Sequence, residues 1–511
     1  MSRACLIGID AGTREVRASA FGLDGRPLTV ARRPTPTIRP RPGWAEVDAD
    51  ALWEATAAAL REVVGSLPEG IRAEGVAPAT VGEAGLPVDR SGRALRPIIA
   101  WYDTRAQGYA LRWEEALGSA RVYALSGQTV DGLFGANKAM WVRDHEPAVW
   151  ARAAAWLSTE DWLVFKLTGA PATDYTVACR TMLFDRSRLD WSEELLEAAG
   201  LESRLMPPAG QAGTIVGSVT PEAAAATALP AGLPVALGGH DHLCSAFIAR
   251  GSDDVPVDST GTAEALVTSV GAAPEGDPGL EAHVTCYPDV VPGRLALVAS
   301  VGLAGGLVDW LRREVWKDDE PGAYSRMVAE LPGPGAAPSG VLCFPQFGRG
   351  ASPRWDPARA RGAFVGLTTA HHRGHLFQAV LEAACFSLRQ NLEWLEAHLG
   401  RPVPRVHVLG GALHNSAWLR LKATIAGRRF DVVDVEEPAA LGAAVLAGVG
   451  VGAYADHAAG ARAVGGAVLG GGFGVDPDPP GVAAYRALYE TWLRLPDQLG
   501  PLAAGLPLPG D

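Results

Sequence analysis

The stretch Leu6-Ile7-Gly8-Ile9-Asp10-Ala11-Gly12-Thr13, near the start of the chain, decides the predicted fold. It has the pattern of a buried β-strand that ends in a turn of small residues with a Gly-Thr pair. The second half of the chain repeats this pattern in Val257-Asp258-Ser259-Thr260-Gly261-Thr262. Glycine lets a backbone approach a phosphate closely, and turned N–H groups with a hydroxyl supply hydrogen-bond donors. Two such turns, one in each half, predict a cleft that holds a polyphosphate from both sides, which points to ATP.

The first turn also carries a carboxylate, because Asp10 stands at the end of its strand. A carboxylate beside a phosphate is repelled unless a cation lies between them. We therefore interpret Asp10 as a ligand of Mg²⁺, directly or through water, with Gly12 and Thr13 as phosphate donors. The alternative is that Asp10 makes an Asx-type turn with its own backbone. In the second turn, Gly261 and Thr262 are the corresponding phosphate-binding candidates.

A third motif, Gly238-Gly239-His240-Asp241-His242, follows a short apolar run and precedes a predicted helix. The helix dipole favours an anion at the N-terminus. Asp241 is therefore the candidate general base, which removes a proton from a substrate hydroxyl in phosphoryl transfer. The alternatives are an ordinary N-cap at Asp241 and a zinc site that includes His240 and His242. No third His or Cys stands at ligand spacing, which argues against zinc.

A fourth motif, Val408-Leu409-Gly410-Gly411-Ala412-Leu413-His414-Asn415, is a predicted strand that enters a Gly-Gly turn before a helix. Side-chain-free backbone at Gly410, Gly411 and Ala412 could pack against an adenine ring, and Asn415 could hydrogen-bond a purine or a ribose. A plain strand–helix turn is the alternative. A P-loop is excluded, because none of the four lysines precedes a Ser or Thr.

Length and composition set further limits. A chain of 511 residues is expected to form two or more domains, since single cores stop growing near about 250–300 residues. The net charge of −12 argues against a general nucleic-acid binder. Six scattered cysteines without a CxxC motif predict reduced thiols and a cytoplasmic protein. The chain shows no signal peptide, and it has no run of about 20 apolar residues, so no membrane partner is expected.

Strand and helix patterns alternate along the chain, which predicts an α/β class with helix-covered sheets. The predicted elements that matter below are the hairpin strands Leu6–Asp10 and Val16–Gly22, a strand at Val81–Val88, and helices at Ala148–Leu167, His240–Ala249 and Pro438–Ala447. The restart of the strand–Gly–Thr pattern places a domain boundary near residue 250. We predict domains at residues 1–250 and 251–495, followed by a tail at 496–511 with a loose Pro/Gly-rich end.

Together, the four motifs resemble the FGGY family of carbohydrate kinases, in the expected order over nearly all of residues 4–495. Further stretches resemble the family as well: Pro42-Gly43-Trp44-Ala45-Glu46, Ile99–Arg105, Cys179–Asp185 and Pro353–Phe364. The resemblance implies the actin/hexokinase/Hsp70 ATPase fold, with two ribonuclease H-like domains and an interdomain cleft. It also implies ATP between the domains, Mg²⁺ near Asp10 and Asp241 as the catalytic base.

The resemblance places a sugar or polyol deep in the cleft, mainly against the first domain. The candidate substrate contacts are Glu83, Trp101, Asp103 and Asp241, because an aromatic ring suits the C–H face of a sugar and carboxylates accept hydrogen bonds from hydroxyls. Two alternatives stay open: Trp101 as a core residue, and Asp103 in a structural pair with Arg105.

The expected activity is transfer of the ATP γ-phosphate to a hydroxyl of a small sugar, ketose or polyol. A ketopentose or ketohexose, as in xylulokinase or fuculokinase, is the candidate substrate. Xylulokinase-like members often carry a Met-His pair where this chain has Gly82-Glu83-Ala84-Gly85, so the resemblance does not name the sugar. A catalytically weak nucleotide- or sugar-binding regulator is the alternative, and a homodimer is expected from the fold.

Overall fold

The fold is built on two seven-stranded sheets, one from each half of the chain. The computed structural model describes residues 4–251, 255–261, 264–274, 276, 278–302, 304–332, 337–347, 361–410, 415–504 and 506. The predicted site residues Thr262, Gly411 and Ala412, and the stretch 353–360, lie outside these described residues.

Among the described residues, the first half of the chain forms sixteen β-strands and ten α-helices. The strands are β1 (Ala4–Ala11), β2 (Glu15–Gly22), β3 (Pro27–Pro34), β4 (Thr37–Ile38), β5 (Glu46–Val47), β6 (Arg72–Thr80), β7 (Leu86–Val88), β8 (Ile98–Ile99), β9 (Ala155–Leu157), β10 (Thr173–Asp174), β11 (Phe184–Asp185), β12 (Asp190–Trp191), β13 (Ala209–Gly210), β14 (Ile215–Ser218), β15 (Pro234–Ala236) and β16 (Gly239–His240). The helices are α1 (Ala49–Gly65), α2 (Ala110–Ala116), α3 (Ser119–Ser126), α4 (Gly135–His145), α5 (Pro147–Trp150), α6 (Thr159–Thr168), α7 (Tyr175–Cys179), α8 (Glu193–Ala199), α9 (Pro221–Thr227) and α10 (Asp241–Ala249).

The second half supplies the remaining elements of the described residues. The strands are β17 (Val257–Thr260), β18 (Glu264–Val270), β19 (Val284–Pro288), β20 (Leu295–Gly302), β21 (Leu342–Phe344), β22 (Ala363–Val365), β23 (Arg405–Gly410), β24 (Arg429–Val432) and β25 (Gly474–Val475). The helices are α11 (Pro278–Ala282), α12 (Ala304–Leu311), α13 (Ala323–Ala329), α14 (Arg373–Leu399), α15 (Ser416–Ala426), α16 (Pro438–Gly450), α17 (His457–Leu469), α18 (Pro479–Trp492) and α19 (Leu495–Ala504).

The two sheets share one topology. In the first, the order is β14-β15-β6-β1-β2-β3, and β16 also pairs with β6. In the second, the order is β19-β20-β18-β17-β23-β24-β25. β1 is antiparallel to β2 and parallel to β6, just as β17 is antiparallel to β18 and parallel to β23. β1 with β2 and β17 with β18 are therefore equivalent hairpins, and the repeat in the sequence corresponds to a repeat in the fold.

Helix α16 joins the halves, because it belongs to the second half by sequence but packs on the first sheet. A Cβ added at Gly8 of β1 would lie 1.8 Å from the backbone oxygen of Ala440. A Cβ added at Gly442 would lie 2.2 Å from the backbone oxygen of Cys244, in α10. Glycine at these positions permits backbone-to-backbone contact of α16 with β1 and α10, the two elements that carry Asp10 and Asp241.

Two predicted elements of the first half are wrong in position. Of the strand predicted at Val81–Val88, only the last three residues form a strand, the short β7, because the preceding strand β6 already ends at Thr80. Gly75 and Pro78 lie inside β6 and hide it from a propensity-based prediction, because both residues are disfavoured in strands. The helix predicted at Ala148–Leu167 is interrupted by β9, after which Ser158 caps α6 through a reciprocal bond with Asp161.

The predicted loose end of the tail is also wrong for part of its length, because α19 extends to Ala504. Leu495, at the start of α19, is buried in the core of the second half and anchors this helix. The domain boundary near residue 250 stays a prediction. All six cysteines are buried and free of disulfides. Among the described residues, no helix has both the length and the apolar character needed to span a membrane.

Candidate active site

The first Gly-Thr turn joins the ends of β1 and β2. Its backbone closes through the N–H of Gly12, which donates to the Glu15 carbonyl at 3.0 Å. The Thr13 hydroxyl accepts a 2.9 Å hydrogen bond from the indole N–H of Trp101. Trp101 and Thr13, predicted for different ligands, are therefore direct neighbours. They also line one small pocket together with Gly12.

Asp10 lies beside this turn, and its side chain is 10 % exposed. The Arg17 guanidinium on β2 lies 3.3 Å from the carboxylate, since Asp10 and Arg17 are paired across the hairpin. Burial and the negative charge of Asp241 raise the pKa of Asp10 to about 7, against the lowering effect of Arg17. A buried carboxylate that a second carboxylate repels is stabilised by a cation. The ion pair with Arg17 also distinguishes Asp10 from a simple Asx turn.

Asp241 is the first residue of α10, and the N-cap position belongs to His240. Its side chain is 21 % exposed, so a ligand in the cleft has access to it. One carboxylate oxygen accepts the backbone N–H of His242 at 2.7 Å. Burial is the main cause that raises the pKa of Asp241 to about 7, and the charge of Glu83 adds to it. A carboxylate with this pKa is suited to accept a proton near neutral pH.

Glu83, whose charge acts on Asp241, lies in a strained turn. Its φ of 57° is in the left-handed region of backbone conformation, which residues other than glycine seldom adopt. The carboxylate forms an ion pair with Arg180, which in turn donates to the side-chain oxygen of Gln128 at 3.1 Å. The guanidinium of Arg180 lies over the rings of Phe134 and Tyr287. A carboxylate, a guanidinium and aromatic rings therefore lie together here, and groups of these kinds can bind hydroxylated ligands.

The two histidines beside Asp241 are both held in the neutral form. Burial is the main cause that lowers the pKa of His242 to about 4, and burial lowers the pKa of His240 well below its ordinary value. Nδ1 of His242 lies 3.1 Å from the Ser259 hydroxyl in β17. This contact connects the helix that carries Asp241 to the strand that leads into the second Gly-Thr turn.

The second turn rests on a buried ionic cluster. The Lys422 ammonium, which is 0 % exposed, donates to Asp258 at 2.5 Å, to Glu264 at 2.8 Å and to the Thr260 hydroxyl at 3.1 Å. Its partners lie on β17 and β18, on both sides of the turn that holds Gly261. Burial and the charge of Asp258 raise the pKa of Glu264 to about 8. One lysine therefore fixes both strands of the hairpin.

The predicted adenosine segment is described at its two ends. Gly410 ends β23 beside Thr260, and a Cβ at Gly410 would lie 2.2 Å from the Thr260 carbonyl oxygen. Asn415 caps α15, because its side-chain oxygen accepts the N–H groups of Ala417 and Trp418, both at 3.1 Å. Asn415 is 1 % exposed, so its contact with a nucleotide stays a prediction.

Asp103 has the structural role that the sequence left open. It is 2 % exposed, and its oxygens accept the backbone N–H of Ala45 at 2.6 Å and two guanidinium N–H groups of Arg105. A sugar hydroxyl would have to displace one of these bonds. The geometry therefore favours the pair with Arg105 over direct sugar contact at Asp103.

The residues present fit a Mg²⁺ ion that arrives with a nucleotide. Among the described residues, no group of three or more His, Cys, Asp or Glu side chains could hold a metal by themselves. Mg²⁺ in kinase sites is bound by one or two carboxylates together with substrate phosphates. Asp10 has a carboxylate of this kind beside the Gly-Thr turn, and its role as a Mg²⁺ ligand stays a prediction.

Arg17 and Arg180 are site residues that the sequence prediction missed. Arg17 could have been found, because a hairpin with a turn at residues 12–14 places it opposite Asp10. Arg180 lies in the family-like stretch Cys179–Asp185, but its pairing with Glu83 had no local signal, since Glu83 lies almost one hundred residues before it in the chain.

The comparisons with known proteins agree with this geometry. The N-terminal domain of the FGGY family of carbohydrate kinases matches residues 5–248, and the C-terminal domain of that family matches residues 258–451. A glycerol kinase of Methylibium petroleiphilum is 32% identical over 467 residues, which cover 88% of this chain and 91% of that protein. An L-fuculokinase of Escherichia coli O157:H7 is 30% identical over 462 residues, with 89% and 94% covered.

Among solved structures, the crystal structure of a xylulose kinase from Rhodospirillum rubrum matches with a TM-score of 0.84 and 28% identity. The match covers 98% of this chain and 99% of that chain. The fold is thus the two-domain α/β fold of actin-like ATPases found in sugar kinases. Matched in both domains and over almost its full length, the chain belongs to the FGGY family of carbohydrate kinases and is a phosphotransferase with an alcohol group as acceptor.

Proposed function

We propose that the chain transfers the γ-phosphate of ATP to a hydroxyl of a small sugar, ketose or polyol, with Asp241 as the general base. The observation that carries this proposal is the position of Asp241. It is accessible, its pKa is raised to about 7, and it lies between the Asp10 turn and the Ser259 strand of the other sheet. A proton acceptor and two phosphate-binding turns then face one cleft.

In the proposed reaction, the substrate hydroxyl donates its hydrogen to the free oxygen of the Asp241 carboxylate. The oxygen bonded to the His242 N–H is held in place, which orients the other one. Gly12, Thr13, Gly261 and Thr262 would supply donors to the phosphates, and Asp10 would hold a Mg²⁺ ion, which would neutralise phosphate charge when bound. Holding the reacting groups in line and stabilising phosphate charge account for most of the rate in such enzymes.

The substrate pocket is proposed to be the wall formed by Glu83, Arg180 and Trp101. Glu83 accepts hydrogen bonds from hydroxyls, the remaining N–H groups of Arg180 donate to substrate oxygens, and Trp101 offers an aromatic face. Gly410 and Asn415 would lie on the adenosine side. The relatives include glycerol, L-fuculose and xylulose kinases, so polyols and ketoses are the first substrates to test.

The test is an ADP-release assay of the purified protein with Mg²⁺-ATP against ketopentoses, ketohexoses, deoxy sugars, aldonates and polyols including glycerol. We expect one class to give turnover well above the ATPase background, and Asp241→Asn to lower that turnover by roughly 10²–10⁴-fold. Absence of turnover with every class, while nucleotide and sugar still bind in calorimetry, would favour the regulator alternative. A homodimer and a cytoplasmic location stay predictions.

A further inference from the structure

Two buried carboxylates lie beneath the loop that carries Asp241. Glu160, in the first turn of α6, is 0 % exposed and accepts the N–H of Gly238 at 3.0 Å. Its other oxygen accepts the N–H of Asp174 at 3.1 Å. Asp174 is 0 % exposed as well and caps α7. Neither carboxylate belongs to the cleft, so neither has a part in the proposed chemistry.

Thr176 connects this cluster to the loop. Its hydroxyl donates to Asp174 at 2.8 Å and accepts the backbone N–H of His240 at 2.8 Å. The chain of bonds therefore runs from a buried carboxylate through one hydroxyl to the residue directly before Asp241. The Thr176 hydroxyl has a single hydrogen. Because that hydrogen is donated to the Asp174 carboxylate, the lone pairs of the hydroxyl oxygen are directed toward the N–H of His240.

Apart from these bonds, the loop is held by the parallel pairing of β16 with β6 and by a 3.3 Å contact of His240 Nδ1 with the Tyr287 hydroxyl. Gly238 and Gly239 have no side chains to pack, and Gly239 has a φ of 143°, which side-chain-bearing residues seldom adopt. Gly238 also lies against backbone, since its added Cβ would be 1.9 Å from the Pro78 carbonyl oxygen. His240 occupies the N-cap of α10 without a side-chain cap bond. The bonds to the N–H groups of Gly238 and His240 are thus well placed to hold the loop.

We infer that Glu160, Asp174 and Thr176 are positioning residues that fix the Gly238–Asp241 loop and so aim the carboxylate of Asp241. The inference rests on the proposed function, because it matters for turnover only if Asp241 is the base. Misplacing a reacting group by about 1 Å costs up to about 100-fold in rate, so a small loop shift has a large effect.

The test compares Thr176→Val, which keeps the shape but removes the hydroxyl, with Thr176→Ser, which keeps the hydroxyl. The matched control is Thr227→Val in α9. Thr227 is also 0 % exposed, and its hydroxyl likewise donates to an oxygen, of Ala223, and accepts an N–H, of Leu229. For each variant, kcat, KM for ATP, KM for the best substrate and Tm are measured.

We expect Thr176→Val to lower kcat by roughly 10- to 100-fold with KM for ATP unchanged. We expect Thr176→Ser to retain most of the wild-type kcat. Thr227→Val should have a Tm lowered about as much as that of Thr176→Val, but its kcat should equal that of the wild type. Equal kcat in Thr176→Val and wild type would overturn the inference, as would equal losses in the Val and Ser variants. If Thr176→Val does not fold, Glu160→Gln is tested instead. The single amide oxygen of Gln can accept the N–H of Gly238 or the N–H of Asp174, but not both. An unchanged kcat in Glu160→Gln would also overturn the inference.

Asp241→Asn, measured in the same assay, separates this inference from the proposed function. An inactive Asp241→Asn beside a fully active Thr176→Val overturns the positioning role alone. A fully active Asp241→Asn would show that Asp241 is not the base, and the positioning role would then be overturned as well.

Discussion

At the scale of single residues, Asp241 combines a small opening to the cleft with surroundings that disfavour its charge. Burial and Glu83 raise its pKa, Arg180 lowers it, and the neutral histidines on either side leave it without an added positive charge. Such a carboxylate takes up a proton more readily than an exposed one. Its environment is therefore consistent with a base rather than with a structural cap.

Asp241→Asn keeps the shape of the side chain and removes its capacity to accept a proton. We expect kcat to fall by roughly 10²–10⁴-fold, since general-base catalysis contributes about that much. ATP binding should change little, because the phosphate turns are intact. ADP release and nucleotide titration calorimetry measure the two effects, and near wild-type turnover would contradict the base assignment.

The rate should also depend on pH through Asp241. Its pKa is raised to about 7, and only the ionised form accepts a proton, so kcat/KM for the substrate should fall as pH decreases below about 7. Saturating Mg²⁺-ATP keeps Asp10 in its ionised, metal-bound form during the measurement. Glu83→Gln removes a charge that raises the pKa of Asp241, so the acidic limb should move to lower pH. A flat profile from pH 8 to pH 5.5 would contradict this prediction.

At the scale of elements, the hairpin of β17 and β18 depends on one lysine from α15. Lys422 compensates the charge of Asp258 and Glu264 and also bonds to Thr260, directly before Gly261. The helix that follows the predicted adenosine segment therefore holds the strands of the second Gly-Thr turn. The first hairpin differs, since its ion pair of Asp10 and Arg17 lies at the cleft itself.

Lys422→Met should destabilise the protein by about 3–5 kcal/mol, because it leaves buried carboxylates without their cation. Equilibrium unfolding in urea, followed by tryptophan fluorescence, measures the loss. Lys166→Met is the matched control: Lys166 is partly exposed and lies 3.8 Å from Asp50, so its loss should cost less than about 1 kcal/mol. Equal effects of the two substitutions would show that the buried cluster is not a stabilising anchor.

At the scale of the whole molecule, the two sheets are connected where the cleft closes. Glu437, directly before α16, accepts from Arg32 at 2.6 Å and lies 3.6 Å from Arg17. On the other side of the site, His242 bonds to Ser259. Ligand groups that contact both halves would draw them together, as in other enzymes that exclude water before the chemical step.

We therefore expect domain closure, seen as a smaller radius of gyration in small-angle scattering with a non-hydrolysable ATP analogue plus substrate. Either ligand alone should have a weaker effect, since each contacts mainly one half. An unchanged radius with both ligands would contradict closure. The same measurement reports the oligomeric state. A single compact chain of 511 residues has a radius of gyration of about 24 Å, and the radius of gyration of a homodimer would be clearly larger.

Much of the fold could be predicted because its signals are local. The hairpin of β1 and β2, the start of α10 and the start of α16 at Pro438 follow from apolar periodicity, glycines and helix-start signals. β6 could not, because Gly75 and Pro78 break its pattern while parallel pairing with β1 stabilises it. The stabilising partner of such a strand is distant in the chain.

The sequence by itself determined the two Gly-Thr turns and the positions of Asp10 and Asp241, because glycine, hydroxyl and carboxylate chemistry acts within a few residues. Only the tertiary structure decided which groups surround them. Arg180 beside Glu83, Thr176 beneath His240 and Lys422 between β17 and β18 are contacts between distant segments. Strand pairing and helix packing create such contacts, and no local pattern encodes them.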